Sequence, residues 1–131
     1  MPDAETPLTV GLLGTNPEFV RHLGSKLGKK GTESDLLFWN KKERGIAMTA
    51  VAAVTYPDRV VPMLQVVAMA DYPILVADAV DAAFGETVIA LSASGKKGLL
   101  GLPNSETAER ARIIAKANLP GWVAMEWAGE D

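Results

Sequence analysis

The sequence predicts an α/β domain: a mostly parallel six-stranded sheet with one antiparallel edge strand and helices on both faces. Three observations predict it. Short apolar runs alternate with helix-length segments bounded by caps and breakers, the pattern of repeated strand–helix–strand units. Two apolar runs are separated only by a short polar turn at residues 40–45, so one β–β step is antiparallel. At 131 residues, 48% hydrophobic and 22% charged, the chain can bury one core and form one domain.

The elements follow in order. Residues 8–13, LTVGLL, form a short buried strand. Gly14, Thr15 and Asn16 break it, and Pro17 and Glu18 suit the first turn of a helix. Phe19, Leu23 and Leu27 share one face of that helix, and Gly28, Lys29, Lys30 and Gly31 close it. Residues 36–39, LLFW, and 46–54, IAMTAVAAV, are the arms of the antiparallel hairpin. Thr55 caps the next helix and Pro57 enters its first turn, with Pro62 late in that turn. Val60, Met63, Leu64, Val67 and Met69 fit roughly one face of it. Residues 72–77, YPILVA, read as a strand buried on both sides. Residues 78–83 leave it as a loop, and residues 85–94 form a helix that Gly95 terminates. Residues 99–102, LLGL, are another buried strand. Asn104 or Ser105 caps the last helix, in which Ala108, Ala111, Ile114 and Ala115 face the sheet until Pro120 and Gly121 end it. Residues 122–127, WVAMEW, make the final strand, with Trp122 and Trp127 on opposite faces.

Composition removes several function classes. The net charge is −3, so bulk electrostatics call for no nucleic-acid surface. There is no cysteine and only one histidine, His22, which excludes disulfides and thiolate sites and argues against a histidine metal centre or triad. The first six residues, MPDAET, are too polar for a secretory signal. The apolar region 60–80 is interrupted by Gln65, Asp71, Pro73 and Asp78, and reads as core rather than a membrane span. A cytoplasmic location is the expectation. Asp78 and Asp81 are two carboxylates without further ligands, and Lys26, Lys29 and Lys30 read as a solvated helix end.

The stretch from residue 8 to residue 32 carries the functional question. Strand, glycine turn and helix N-terminus is the geometry that holds a phosphate. A working phosphate loop reads GxxxxGK followed by Ser or Thr. Counted from Gly14, the second-glycine slot holds Phe19, the lysine slot Val20 and the hydroxyl slot Arg21. The geometry is kept and the chemistry is lost.

The element order β-α-β-β-α-β-α-β-α-β is that of a Ras-like nucleotide-binding domain without its last helix. A flavodoxin-like or receiver-like domain, binding a small molecule at the carboxyl edge, lacks the hairpin and ranks second. The segments LGKKGTESD and YPDRVVPMLQVVAMADYPILVADAVDAAFGETVIAL, with the hairpin between them, resemble the G domain of archaeal SelB-like elongation factors, relatives of the EF-Tu class. The most specific part is MADYPILVADAVDAAFGETVIAL, with Asp78 and Gly85-Glu86-Thr87 in family positions. The resemblance spans nearly the whole chain and implies a Ras-like P-loop NTPase (G-domain) fold.

The family's working parts are then expected at particular residues. Lys30-Gly31-Thr32 resembles the first switch. The DxxG aspartate slot falls at Ala52 or Ala53, with no glycine or water-positioning histidine after it. Where the guanine-reading NKxD belongs stands Pro103-Asn104-Ser105-Glu106. The resemblance therefore implies one degenerate G domain over residues 1–131, without the family's final helix and tRNA-binding barrels. Its expected role is a pseudo-GTPase with no catalytic residue, cofactor or metal, acting as a protein-interaction module of the translation machinery. No nucleic-acid or membrane partner is expected, and an open sheet face offers a route to oligomers. The degenerate nucleotide-site positions are Gly14, Thr15, Asn16, Arg21, Thr32, Asn104 and Glu106, and the alternative is GTP or GDP with Mg²⁺ at a non-standard site that uses Arg21, Lys30, Thr32 and Glu106.

Overall fold

A computed structural model of the chain describes residues 6–14, 20, 21, 24, 29–33, 36–53, 56, 60–77, 79–102 and 105–126. Seven strands and three helices have defined bounds: β1 (Thr6–Leu13), β2 (Lys29–Glu33), β3 (Leu36–Glu43), β4 (Ile46–Ala53), α1 (Val60–Met69), β5 (Tyr72–Val76), α2 (Ala82–Ser94), β6 (Leu99–Leu102), α3 (Ser105–Asn118) and β7 (Val123–Glu126). Val20, Arg21 and Gly24, between β1 and β2, are also helical. The expected helical face of Phe19, Leu23 and Leu27 lies outside the described residues, as do Lys26, the Thr55 cap and Pro57, His22, Asp78 and Trp127.

All strands belong to one sheet in the order β2-β3-β4-β1-β5-β6-β7. β1 lies at its centre, parallel to β4 on one side and β5 on the other. β6 and β7 continue the parallel part. The expected hairpin is present, with β3 antiparallel to β4 from Leu36↔Ala53 to Glu43↔Ile46. Its turn is only Arg44-Gly45, with φ of 52° and 80°. Positive φ at both centres is what a two-residue hairpin turn requires.

The fold class is as expected, with an addition. Gly28, Lys29, Lys30 and Gly31 were expected to close a helix, but Lys29–Glu33 form a seventh strand, β2, antiparallel to β3. The sheet therefore has seven strands rather than six and two antiparallel pairings, and the one strand that runs against the rest, β3, lies inside the outermost β2 rather than at the edge. β2 is irregular between Lys30 and Glu33. Lysines and a bulge on an outermost strand discourage further pairing. The start of one helix also moves. α2 starts at Ala82, within the segment expected to be a loop, because the Asp81 carboxylate accepts from the Phe84 N–H at 2.9 Å and caps it. Gly95 ends α2 in the left-handed region, φ 71°, as expected.

Each face of the sheet has its own apolar cluster. On one face α1, α2 and α3 cover Leu13, Val51, Leu75, Leu100 and Leu102. On the other, Val10, Leu12, Leu37, Trp39, Ala50 and Ala52 pack with Val20. The helix containing Gly24 approaches this second cluster closely: a Cβ on Gly24 would lie 2.5 Å from the Trp39 ring. Only glycine admits the indole there. α1 buries Pro62, Met63, Val66 and Val67, so Met63 and Val67 of the expected face are buried while Val60, Leu64 and Met69 are exposed. Gln65 is its one polar residue, so spacing alone selects no face. Its last turn is finished by Lys96, whose ammonium donates to the carbonyls of Val67 at 2.7 Å and Ala68 at 2.9 Å.

Candidate functional site at the carboxyl edge of the sheet

In open parallel sheets ligands sit outside the carboxyl ends of the strands. Here that edge is formed by the ends of β1, β4, β5 and β6. Gly14 follows β1 and is buried. A Cβ on Gly14 would lie 3.2 Å from Val20 Cγ2 and 3.4 Å from Val76 Cβ. Val20 is itself 2% exposed and belongs to the Trp39 cluster. The slot that holds the lysine of a phosphate loop therefore delivers its side chain into the core. Arg21, one residue on, is half-buried.

The end of β4 is apolar too. Ala52 and Ala53, at the DxxG slot, are buried on opposite faces. Past it, Tyr56 turns into the helical side of the core at 2% exposure. Its hydroxyl lies 2.8 Å from the Ala83 carbonyl and 2.8 Å from Glu86 Oε1, both acceptors in reach of its proton. Thr87 Oγ1 donates toward the Tyr56 oxygen at 3.2 Å and lies 3.0 Å from the Ala83 carbonyl. Thr87 is the one buried polar residue among those described. Burial, above all, pushes the Tyr56 hydroxyl up to about 12, with the Glu86 carboxylate adding to it and the Thr87 hydrogen bond opposing it. This network holds Tyr56 against the first turns of α2.

The remaining expected residues scatter. Thr32 lies on β2, with β3 and β4 between it and β1. Three interstrand spacings place its backbone about 14 Å from the line of β1. Glu106 is in the first turn of α3, where Thr107 Oγ1 donates to the Ala77 carbonyl beyond β5 at 3.3 Å. Thr15, Asn16 and Asn104 lie outside the described residues. Gly14 and Arg21 are thus placed near the β1 end, and Thr32 is not brought to them. Asp81 is spent as a helix cap, and no group of three or more acidic or histidine side chains suited to a metal occurs among the described residues. The Tyr56–Thr87 contact joins positions 31 residues apart, and no local spacing signals it.

No family model matches the chain. An uncharacterized protein of Methanocaldococcus jannaschii is 39% identical over 88 residues, covering 67% of this chain and 27% of that protein. Among solved structures, elongation factor SelB of Methanococcus maripaludis, in complex with the GTP analogue GPPNHP, matches 95% of this chain and 30% of its own, with TM-score 0.67 at 15% identity. A bacterial selenocysteine-specific elongation factor, EF-Sec, matches 94% of the chain and 26% of its own, with TM-score 0.67 at 12% identity. A Plasmodium falciparum protein described as nucleolar GTP-binding protein 1 matches 95% of the chain and 78% of its own, with TM-score 0.59 at 9% identity. The chain spans less than a third of the M. jannaschii protein and of either elongation factor. Identities this low speak to architecture, and the chain has the G-domain fold seen in the selenocysteine-specific elongation factors.

Proposed function

We propose that this domain is a pseudo-GTPase: a G-domain fold with little or no grip on nucleotide, serving as a cytoplasmic protein-interaction module of the translation machinery. The observation that carries the reading is Val20. Where a phosphate loop presents a lysine to the phosphates, this chain presents a valine that is 2% exposed and packed over Gly14. Ala52 and Ala53 likewise offer no carboxylate at the second metal contact. Each missing charged contact weakens binding by about 1–3 kcal/mol, and several together leave no useful affinity.

An open surface supports the interaction role. Tyr72, Ile74, Leu99, Val123 and Met125 fall on the sheet face away from α1–α3 by register. Val123 is 61% and Met125 48% exposed. Apolar side chains left open on a parallel sheet suit a covering partner.

A second reading is favoured by the GTP analogue bound to the M. maripaludis protein. In it, GTP or GDP and Mg²⁺ bind a non-standard site that uses Arg21, Lys30, Thr32 and Glu106. Thermal denaturation with increasing GTP or GDP and Mg²⁺ separates the two. The first reading expects a melting temperature that does not move. A shift that saturates with nucleotide establishes the second, because selective binding to the folded state must stabilise it.

A further inference from the structure

Toward the amino ends of β6 and β7, away from the edge described above, two cavities share a wall. The larger, about 320 Å³, lies beside α3 over Leu100 and Ala124. The smaller, about 170 Å³, lies against the turn between α2 and β6. Leu119, Pro120 and Trp122 line both, so the pair forms one groove with an aromatic step in its middle. Trp122 is fixed there. Its ring N–H donates to the Lys96 carbonyl at 3.0 Å and its backbone N–H to the Leu119 carbonyl at 3.3 Å. The larger cavity alone reaches the size range of ligand sites.

The charge around the groove opposes that of the chain. The chain carries −3, yet the charged side chains lining the groove are all cations: Arg112 and Lys116 on one cavity, Lys96 and Lys97 on the other. Two are committed. Arg112 pairs with Glu126, and Lys96 caps α1. Lys116 and Lys97 have no ion-pair partner among the described residues. An apolar trough with two uncommitted ammonium groups at its rim complements an acidic chain segment bearing a bulky apolar side chain.

We propose that this groove binds an acidic peptide segment of a partner protein, with one bulky apolar side chain seated against Trp122 and Leu119 and carboxylates on Lys116 and Lys97. The proposal deepens the interaction-module reading and rests on it. It does not involve the carboxyl edge, so nucleotide titration and peptide titration fail independently.

The test is fluorescence anisotropy with a labelled decapeptide of glutamates carrying two central phenylalanines. Saturable binding is expected at about 0.05 M salt, with marked weakening at about 0.5 M. Lys116→Glu and Lys97→Glu each weaken it about tenfold, and Ala124→Glu, on the groove wall, does the same. Unchanged melting of these variants shows that they fold. Three results overturn the proposal: no saturation by about 1 mM peptide, equal binding of an all-glutamate peptide, or equal binding of a lysine peptide with the same phenylalanines. Equal binding of a uridine decamer, or indifference to both lysine reversals, overturns it as well. A domain that ignores both nucleotide and peptide loses this groove and keeps the degenerate-site reading.

Discussion

Two loops at the carboxyl edge dispose of their chemistry in opposite ways. After β1, polar function has been exchanged for packing: Val20 fills the lysine slot and closes over Gly14. After β4, polar groups persist and are turned inward, where Tyr56, Glu86 and Thr87 satisfy one another and the Ala83 carbonyl. A nucleotide site needs donors and charges aimed outward at the phosphates. Val20, at the lysine slot of the first loop, supplies none, and Tyr56 in the second has its hydroxyl engaged internally. On the pseudo-GTPase reading proposed above, the two loops would carry two signatures, hydrophobic replacement and internal saturation, and only the first can be seen by comparing motifs.

The comparison is tested most strongly by Val20→Lys, which restores the motif residue. An ammonium at a position 2% exposed would be buried in the apolar Trp39 cluster, so the expected loss is about 3–5 kcal/mol of stability, read by urea denaturation. A variant that melts normally and gains GTP binding breaks the contrast, since the slot would then face outward. Gly24→Ala probes the same side. Its Cβ would meet the Trp39 ring at 2.5 Å, and relieving that overlap costs about 1–3 kcal/mol. A neutral result means that the helix and indole separate easily.

The β4 side is sharpened by Tyr56→Phe. Removing the hydroxyl leaves Thr87 and the Ala83 carbonyl with one partner fewer, at an expected cost of about 1 kcal/mol. The pH dependence gives a second signature. The folded-state value of Tyr56 is raised from 10.0 to about 12, so its stabilisation is intact below pH 10 and is lost as pH climbs toward 12. The wild type should therefore lose stability more steeply than Tyr56→Phe across that alkaline window. Parallel alkaline denaturation curves would remove Tyr56 from the account of this loop.

Much of the fold was legible because its strands are short, apolar and separated by breakers. The bounds of β6 were read correctly from LLGL, and Gly95 was placed correctly as the end of α2. β2 was missed because GKKGTE shows no apolar alternation. Its strand character comes from pairing with Trp39 and Asn40, a tertiary contribution that propensity does not report. The buried face of α1 was misjudged because nine of its ten residues are apolar or proline, which leaves no polar face to orient it. Asp81 read as one of two carboxylates without further ligands and is instead a cap, a role that an aspartate three residues before Phe84 fits. At the site, the missing lysine and carboxylate were visible as absent letters. What became of the space was not: Gly24 against Trp39 and Tyr56 against Thr87 are long-range juxtapositions that only the folded chain creates.

The central position of β1 has a consequence for biosynthesis. Of the strands in this sheet, β1 is made first, yet it hydrogen-bonds only to β4 and β5, whose last residues are Ala53 and Val76. Until those arrive, its backbone has no native strand partner, and at about 5–20 residues per second that wait lasts seconds. The nascent chain is most open to chaperone capture or aggregation during that interval.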